Sequence, residues 1–324
     1  MGAPLHIRRR LNPVPASRSK LRAPNRSAAQ RRVLDWYDEH RRAFPWRATR
    51  DPYRTMVAEV MLQQTQTGRV APIYERFMER FPTLSRLAHA PSMEVIQAWR
   101  GLGYNRRAVD LHRAAQAIEE DHGGRFPEDP ATLRRLPGLG EYTAHAIACF
   151  SFDAQVPVVD TNVRRVLSRV ALGKDASEAE PNRSWALAAE WLPPGEAYRW
   201  NQALMDIGAM LCRGSKPLCA QCPLARACAY RVAGRHREAP APNGRTKEKF
   251  EGSRRQARGG IVDELRTAAG NGVTLGTLAG RMHHHERSLE WLVEILTQLE
   301  GEGLAELSPA ARRGSPRGTV RLPR

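Results

Sequence analysis

The sequence predicts an all-α protein that carries a small winged-helix-like module at its C-terminal end. Apolar residues recur at helical spacing along most of the chain, Pro and Gly interrupt them at short intervals, and strand-like alternation is scarce before the final segment. The first helix starts near Ser27, runs through Val33-Leu-Asp-Trp-Tyr37 and stops before the loop Phe44-Pro-Trp-Arg47. The second begins around Arg54 and carries Met56, Val57, Val60, Met61 and Leu62. Further helical patterns cover 70–80, 84–88, 93–99 and 106–121, parted by breaks at Phe81-Pro82, Pro91, Gly101-Leu-Gly103 and Gly123-Gly124. After Gly140 comes the tightly packing pattern Tyr142-Thr-Ala-His-Ala-Ile-Ala. Helices then follow at 163–167, 184–191 and 200–211, the last delivering Cys212.

These patterns divide the chain into a disordered basic arm (1–28), a helical domain (29–230), a basic linker (231–258) and the C-terminal module (259–324). The module reads as helices at 261–265, 273–278 and 289–299 followed by strands at 304–307 and 319–322, the order of a winged helix. Such modules bind DNA or serve as protein contacts. His283-His-His285 within it cannot share one helical face, so a solvated turn is expected there rather than a metal site.

The formal charge of +17 over 324 residues points to polyanionic partners. The excess is uneven: residues 1–34 contain no acid but include Arg8-Arg9-Arg10, Arg18, Lys20, Arg22, Arg26 and Arg31-Arg32. Apolar runs such as 146–150 are far shorter than the roughly 20 residues a bilayer requires. The basic N-terminus lacks an apolar signal core. A monomeric, cytoplasmic, nucleoid-associated protein with no membrane partner is expected.

Of the five cysteines, Cys212, Cys219, Cys222 and Cys228 form a C-x6-C-x2-C-x5-C run, the pattern of one metal-bearing knot in a reducing compartment. An all-cysteine set suits an iron-sulfur cluster or a zinc. Only Cys219 and Cys222 form a C-x2-C pair, which favours a cubane 4Fe-4S cluster over zinc. Cys149 lies in the apolar stretch 146–150 and reads as a small buried hydrophobe. The turn Leu136-Pro-Gly-Leu-Gly140 presents backbone amides at the positive end of a helix, where a phosphate can approach through Gly138 and Gly140. Asp160, at the start of a helix in Val158-Val-Asp-Thr-Asn-Val163, would on its own read as an N-cap.

Taken together, the glycine turn, the Val-Asp segment and the cysteine loop resemble the endonuclease III superfamily of base-excision DNA glycosylases. Phe44-Pro-Trp-Arg47, Ala58-Glu-Val-Met-Leu-Gln-Gln-Thr-Gln66, Gly101-Leu-Gly-Tyr104 and Trp200-Asn-Gln-Ala-Leu-Met-Asp206 are similar to the MutY-type adenine glycosylases. The likeness spans about 31–230. It implies a two-lobed helix-hairpin-helix fold with an iron-sulfur loop at 212–228 and an active site in the cleft. It places the general acid at Glu59 and the second catalytic carboxylate at Asp160. Among Val60, Met61 and Leu62, desolvation would keep Glu59 protonated for transfer to the adenine leaving group. Asp160, left ionised, would stabilise or capture the oxocarbenium-like sugar.

Tyr142 stands where superfamily members with lyase activity carry lysine, and a phenol forms no Schiff base, which implies a monofunctional enzyme. Asn162 would orient Asp160 or water, and Gln64 would wedge into the space left by the everted adenine. Trp46, Arg47 and Gln202 match base-pocket positions, Trp46 being equally suited to a core. Tyr104 falls in the DNA-binding segment. The cluster would hold a basic loop with Arg213, Lys216 and Arg226 against phosphates.

Two departures stand out. Asn105 replaces the second aromatic of the family's Gly-Leu-Gly-Tyr-Tyr segment, and no Nudix-like pattern follows the domain, so reading of 8-oxoguanine opposite the adenine is weakened or moved to the C-terminal module. The expected activity is removal of adenine mispaired with guanine or 8-oxoguanine in double-stranded DNA. A mismatch thymine or uracil glycosylase and a non-catalytic iron-sulfur DNA-binding protein are the alternatives.

Overall fold

The computed structural model describes residues 26–237, 250–268, 272–282 and 288–324. The basic arm up to residue 25, residues 238–249 of the expected linker and His283 to His285 lie outside them. Helix α1 (Arg26–His40) matches the expected start. Helix α2 (Pro52–Leu62) is set by its N-cap: the Asp51 carboxylate accepts the N–H groups of Tyr53 and Arg54 at 2.8 and 3.3 Å, with Pro52 at the first helical position. Nearly every side chain of α2 from Tyr53 to Met61 is buried, so it forms the centre of the first lobe.

Around it pack α3 (Thr67–Arg80), α4 (Leu84–Ala88), α5 (Ser92–Ala98), α6 (Arg106–His122) and the short α7 (Pro130–Leu133). Their core includes Met56, Met61, Phe77, Trp99, Leu111 and Ile118. Helix α8 (Glu141–Phe152) sits between two lobes: Ala144, Ile147 and Ala148 join this core, whereas Ala146, Cys149 and Phe150 join the second. The part buried on both faces carries the uninterrupted apolar run Ala146-Ile-Ala-Cys-Phe150.

The second lobe combines α1 with α9 (Thr161–Leu167), α10 (Pro181–Trp191), α11 (Ala197–Met210) and α12 (Ala229–Val232). One π-helical turn, Ser168–Leu172, continues α9 and ends at Gly173 with φ +63°. The short α7, α12 and this π turn have no sequence signature strong enough to be expected.

The C-terminal module differs from expectation in two ways. Helix α13 (Arg254–Thr267) begins inside the stretch expected to be linker, with the Ser253 hydroxyl accepting the Gln256 N–H at 3.2 Å. Its Arg- and Gly-rich exposed side masked a buried row of Ala257, Ile261, Val262 and Leu265. Gly260 is part of that packing, since a Cβ there would stand 3.2 Å from the Met282 Cε. A strand, β1 (Val273–Thr274), occupies the start of the segment expected to be wholly helical, and α14 (Leu275–Arg281) follows it directly.

Then come α15 (Leu289–Gly301), β2 (Glu306–Leu307), α16 (Pro309–Arg312) and β3 (Thr319–Arg321). The sheet has order β1-β3-β2, antiparallel throughout, with Val273 opposite Val320 and Glu306 opposite Arg321. The module is docked on the first lobe. Ile96 and Val109 enter its core, and the buried Arg266 donates to the Ile96 carbonyl at 3.0 Å and to the Asn105 side-chain oxygen at 2.9 Å. No helix among the described residues is long and apolar enough to cross a membrane.

Candidate active site

Glu59 lies on the buried face of α2, 5% exposed, and faces Tyr142 in the first turn of α8. The Tyr142 hydroxyl donates to Glu59 Oε2 at 2.7 Å. Burial pushes the Glu59 carboxyl up to about 7; the phenol bond and Arg47 pull it down, and the charge of Asp160 adds to the rise. Burial and the neighbouring carboxylates push the Tyr142 phenol well above its usual value, so it serves as a donor.

Asp160 approaches from the other lobe. It is the N-cap of α9, where Oδ1 accepts the Val163 N–H at 2.6 Å and Oδ2 accepts the Asn162 amide at 2.9 Å. The capping and catalytic readings of this residue therefore coincide. Desolvation pushes Asp160 above the usual carboxylate range as well, in contrast to the simple expectation of an ionised group. The two hydrogen bonds hold it back, because both favour the charged form. Of the two carboxyls, Glu59 has only a phenol as donor, whereas Asp160 accepts from a backbone N–H and an amide.

Asn162 is fixed in turn. Its Oδ1 accepts from Arg165 Nη2 at 2.8 Å, and the same guanidinium donates to the carbonyls of Gly208 and Cys212, both at 2.7 Å. A Cβ on Gly208 would fall 2.5 Å from the Asn162 Cβ, so this position of α11 accommodates only glycine without a shift. Neither Arg165 nor Gly208 carried a sequence signal of its role.

The thiols of Cys212, Cys219, Cys222 and Cys228 are free and line one small pocket together with Arg169, Leu224 and Tyr230. Among the described residues no three His, Cys, Asp or Glu side chains close on a single-ion position. Arg169, 2% exposed, donates to the Cys212 sulfur at 3.6 Å and to the Arg213 and Gly214 carbonyls at 2.6 and 2.9 Å. Cys149 is fully buried in the second core.

The loop after α2 carries Gln64, exposed and at φ +54°, beside Tyr104, 49% exposed and at φ +43°. Arg107 of α6 builds this rim from below. Its Nη1 donates to the carbonyls of Val60, Met61 and Gln63 at 2.9, 2.9 and 2.6 Å, and its Nη2 to that of Gly103 at 3.1 Å. The Val60 and Met61 carbonyls are among those that the end of α2 leaves without an intrahelical partner. In the turn before α8, Gly138 has φ +72°, and a Cβ there would meet the Asp110 Cβ at 2.7 Å. Gly140 is the N-cap of α8, with open space where a side chain would stand.

The remaining candidate pocket residues are more enclosed. Trp46 is 7% exposed, stacked on Phe44 and edge-on to Tyr74. Arg47 forms a two-pronged bond to the fully buried Asp206 at 2.8 and 3.0 Å, and Arg42 Nε joins the same carboxylate at 2.7 Å. The Arg47 fork therefore ties the α2 lobe to α11 rather than standing free. Gln202 is buried on α11. One aspartate in a helix gives no sequence sign of its ion partners, so the role of Asp206 is evident only in the structure.

The structure thus brings Glu59, Tyr142, Asp160 and Asn162 together between the two lobes. Residues 57–194 match the model of the HhH-GPD superfamily base excision DNA repair proteins. The adenine DNA glycosylase of Mycolicibacterium smegmatis is 44% identical over 237 residues, 72% of this chain and 79% of that protein. That of Mycobacterium tuberculosis is 42% identical over 239 residues, 73% of this chain and 78% of that protein. A solved thermostable thymine-DNA glycosylase aligns with TM-score 0.60 and 32% identity over 64% of this chain and 97% of its own. By its fold, its cleft and these matches, the chain belongs to the adenine DNA glycosylases of the HhH-GPD superfamily.

Proposed function

We propose that this chain is a monofunctional glycosylase that binds double-stranded DNA and hydrolyses the bond between adenine and deoxyribose where adenine is mispaired with guanine or 8-oxoguanine. The observation that carries it is the buried Glu59 carboxyl, hydrogen-bonded by Tyr142 and raised to about 7, in the cleft that also holds the N-capping Asp160.

In this reading Glu59 gives its proton to N7 of the everted adenine as the C1′–N9 bond breaks and its electron pair leaves with the base. The sugar becomes an oxocarbenium ion, which Asp160, held by Asn162 and the Val163 N–H, stabilises or captures. Water adds at C1′ and its proton restores Glu59. The reading as a monofunctional enzyme is supported by the absence, among the described residues, of a lysine on the elements that bear the catalytic carboxyls. The lysines among the described residues are Lys174 and Lys216, neither on an element that bears the catalytic carboxyls, and the Tyr142 phenol is engaged with Glu59.

Four free cysteines around one pocket, with the Arg169 guanidinium against one sulfur, fit a 4Fe-4S cluster. Burial pushes the Cys222 and Cys228 thiols up to about 12 and 11, so their thiolates need a cationic centre such as iron. When bound, the cluster would crosslink the 212–228 loop. Its residues in this chain would then hold Arg213 and Lys216 toward phosphates and fix the Cys212 carbonyl for Arg165.

The test is single-turnover adenine release from an A:8-oxoguanine duplex by wild type, Glu59→Gln and Asp160→Asn. Each variant is expected to bind the duplex and to lose at least 10²-fold in rate, roughly the contribution of a positioned acid or base. Release by Glu59→Gln at the wild-type rate would remove Glu59 from the mechanism.

A further inference from the structure

A groove of about 960 Å³ lies outside the catalytic cleft, between the loop after α2, the start of α6 and the start of α13. It is lined by Gln64, Arg69, Tyr104, Phe250 and Arg255, and by none of Glu59, Tyr142 or Asp160. Gln64, just past the end of the helix that carries Glu59, borders this groove. Two of the most exposed aromatic residues, Tyr104 at 49% and Phe250 at 55%, stand in it.

Charge distribution in the C-terminal module shows which of its surfaces can meet a polyanion. Helix α15, in the position of a reading helix, carries Glu290, Glu294 and Glu300 and no Lys or Arg, so it is unsuited to DNA. Its end and its glutamates instead neutralise neighbours: Glu294 pairs with Arg254, Glu302 with Arg258 and Glu300 with Arg312. Arg255 differs from Arg254 and Arg258. It has no carboxylate partner among the described residues, lies over the Phe250 ring at 5.2 Å and lines the groove. Arg69, across the groove on α3, is likewise exposed and without an ion pair among the described residues.

We propose that this groove seats the strand of the duplex that keeps its bases, with Arg255 and Arg69 on its phosphates. The C-terminal module would then be part of the DNA interface, held there by the Arg266 bonds to Asn105 and to the Ile96 carbonyl. The proposal rests on the glycosylase reading above, because Gln64 must mark the boundary between the everted nucleotide and its partner. Asn105 acquires a role in it as the anchor of the module beside Tyr104, rather than as a stacking residue.

The test uses the full chain with Glu59→Gln, so that the duplex is not consumed, and measures affinity over a salt series together with phosphate-ethylation interference on each strand. Arg255→Ala is expected to lower the slope of log affinity against log salt by about 1, the value of one lost phosphate contact. Interference should fade on the strand opposite adenine and persist on the adenine strand. Arg254→Ala removes the same charge from a guanidinium already held by Glu294, and should leave slope and interference as they were. Equal effects of the two substitutions, or fading confined to the adenine strand, would overturn the proposal. Adenine release by the wild-type chain is scored separately, so failure of the groove with release intact leaves the catalytic reading standing.

Discussion

Glu59 is a buried acid whose proton is available near neutrality because burial outweighs the two groups that oppose it, Tyr142 and Arg47. The single-turnover rate constant of adenine release should therefore fall as pH rises through about 7, since the reacting form is the protonated one. The Tyr142 hydroxyl donates to the carboxylate and favours its ionised form, so Tyr142→Phe raises the Glu59 pKa. Its pH–rate profile should accordingly have the alkaline limb displaced to higher pH, and an unmoved limb would show that the phenol does not tune the acid. Much of this pair was legible in the sequence: an acid followed by Val60, Met61 and Leu62 is a desolvated acid wherever the helix packs. The bond between Glu59 and Tyr142 was not, because it joins residues 83 positions apart on different helices.

At the scale of elements, the helices were readable where Pro and Gly punctuate them, as at Phe81-Pro82, Gly123-Gly124 and Gly140. The start of α13 was not, since Arg and Gly fill its exposed side and its buried row is only four residues. Sequence pattern also gives no sign of how arginines join one element to another. Arg107 ties the end of α2 to the Tyr104 loop, and Arg165 ties α9 to α11 and the cysteine loop. The contact of α9 with α11 is closest at Gly208, where Asn162 fills the space a side chain would take. Gly208→Ala should displace Asn162 and with it the donor on Asp160, an overpacking strain of about 1–3 kcal/mol. The expected result is a single-turnover rate at least tenfold lower with duplex affinity unchanged. Gly214→Ala, placed in open space, serves as the control and should leave the rate alone.

At the scale of the molecule, two lobes each contribute one carboxyl, α8 is buried in both, and the Arg47–Asp206 pair clamps them. The cysteine loop sits on the second lobe and reaches the site through the Cys212 carbonyl, Arg165 and Asn162. Loss of the proposed cluster should thus impair the chemistry as well as folding. Cys222→Ser protein is expected to lack the visible iron-sulfur absorbance and to melt at lower temperature. Retention of wild-type Tm and rate without that absorbance would leave the cysteines no role in the fold. The cysteine loop was visible in sequence through its spacing, and the two lobes were implied by the family resemblance; the docking of the C-terminal module through Arg266 was not visible, because it depends on one arginine among fifty-one basic residues. The most direct measurement is single-turnover base release from duplexes with adenine opposite 8-oxoguanine, guanine or thymine and with thymine opposite guanine, each scored with and without alkali. Adenine loss from the first two duplexes, converted to strand breaks only by alkali, is the result predicted by a protonating Glu59 and a Tyr142 that cannot act as an amine. Release of thymine in place of adenine, or strand cleavage without alkali, would contradict it.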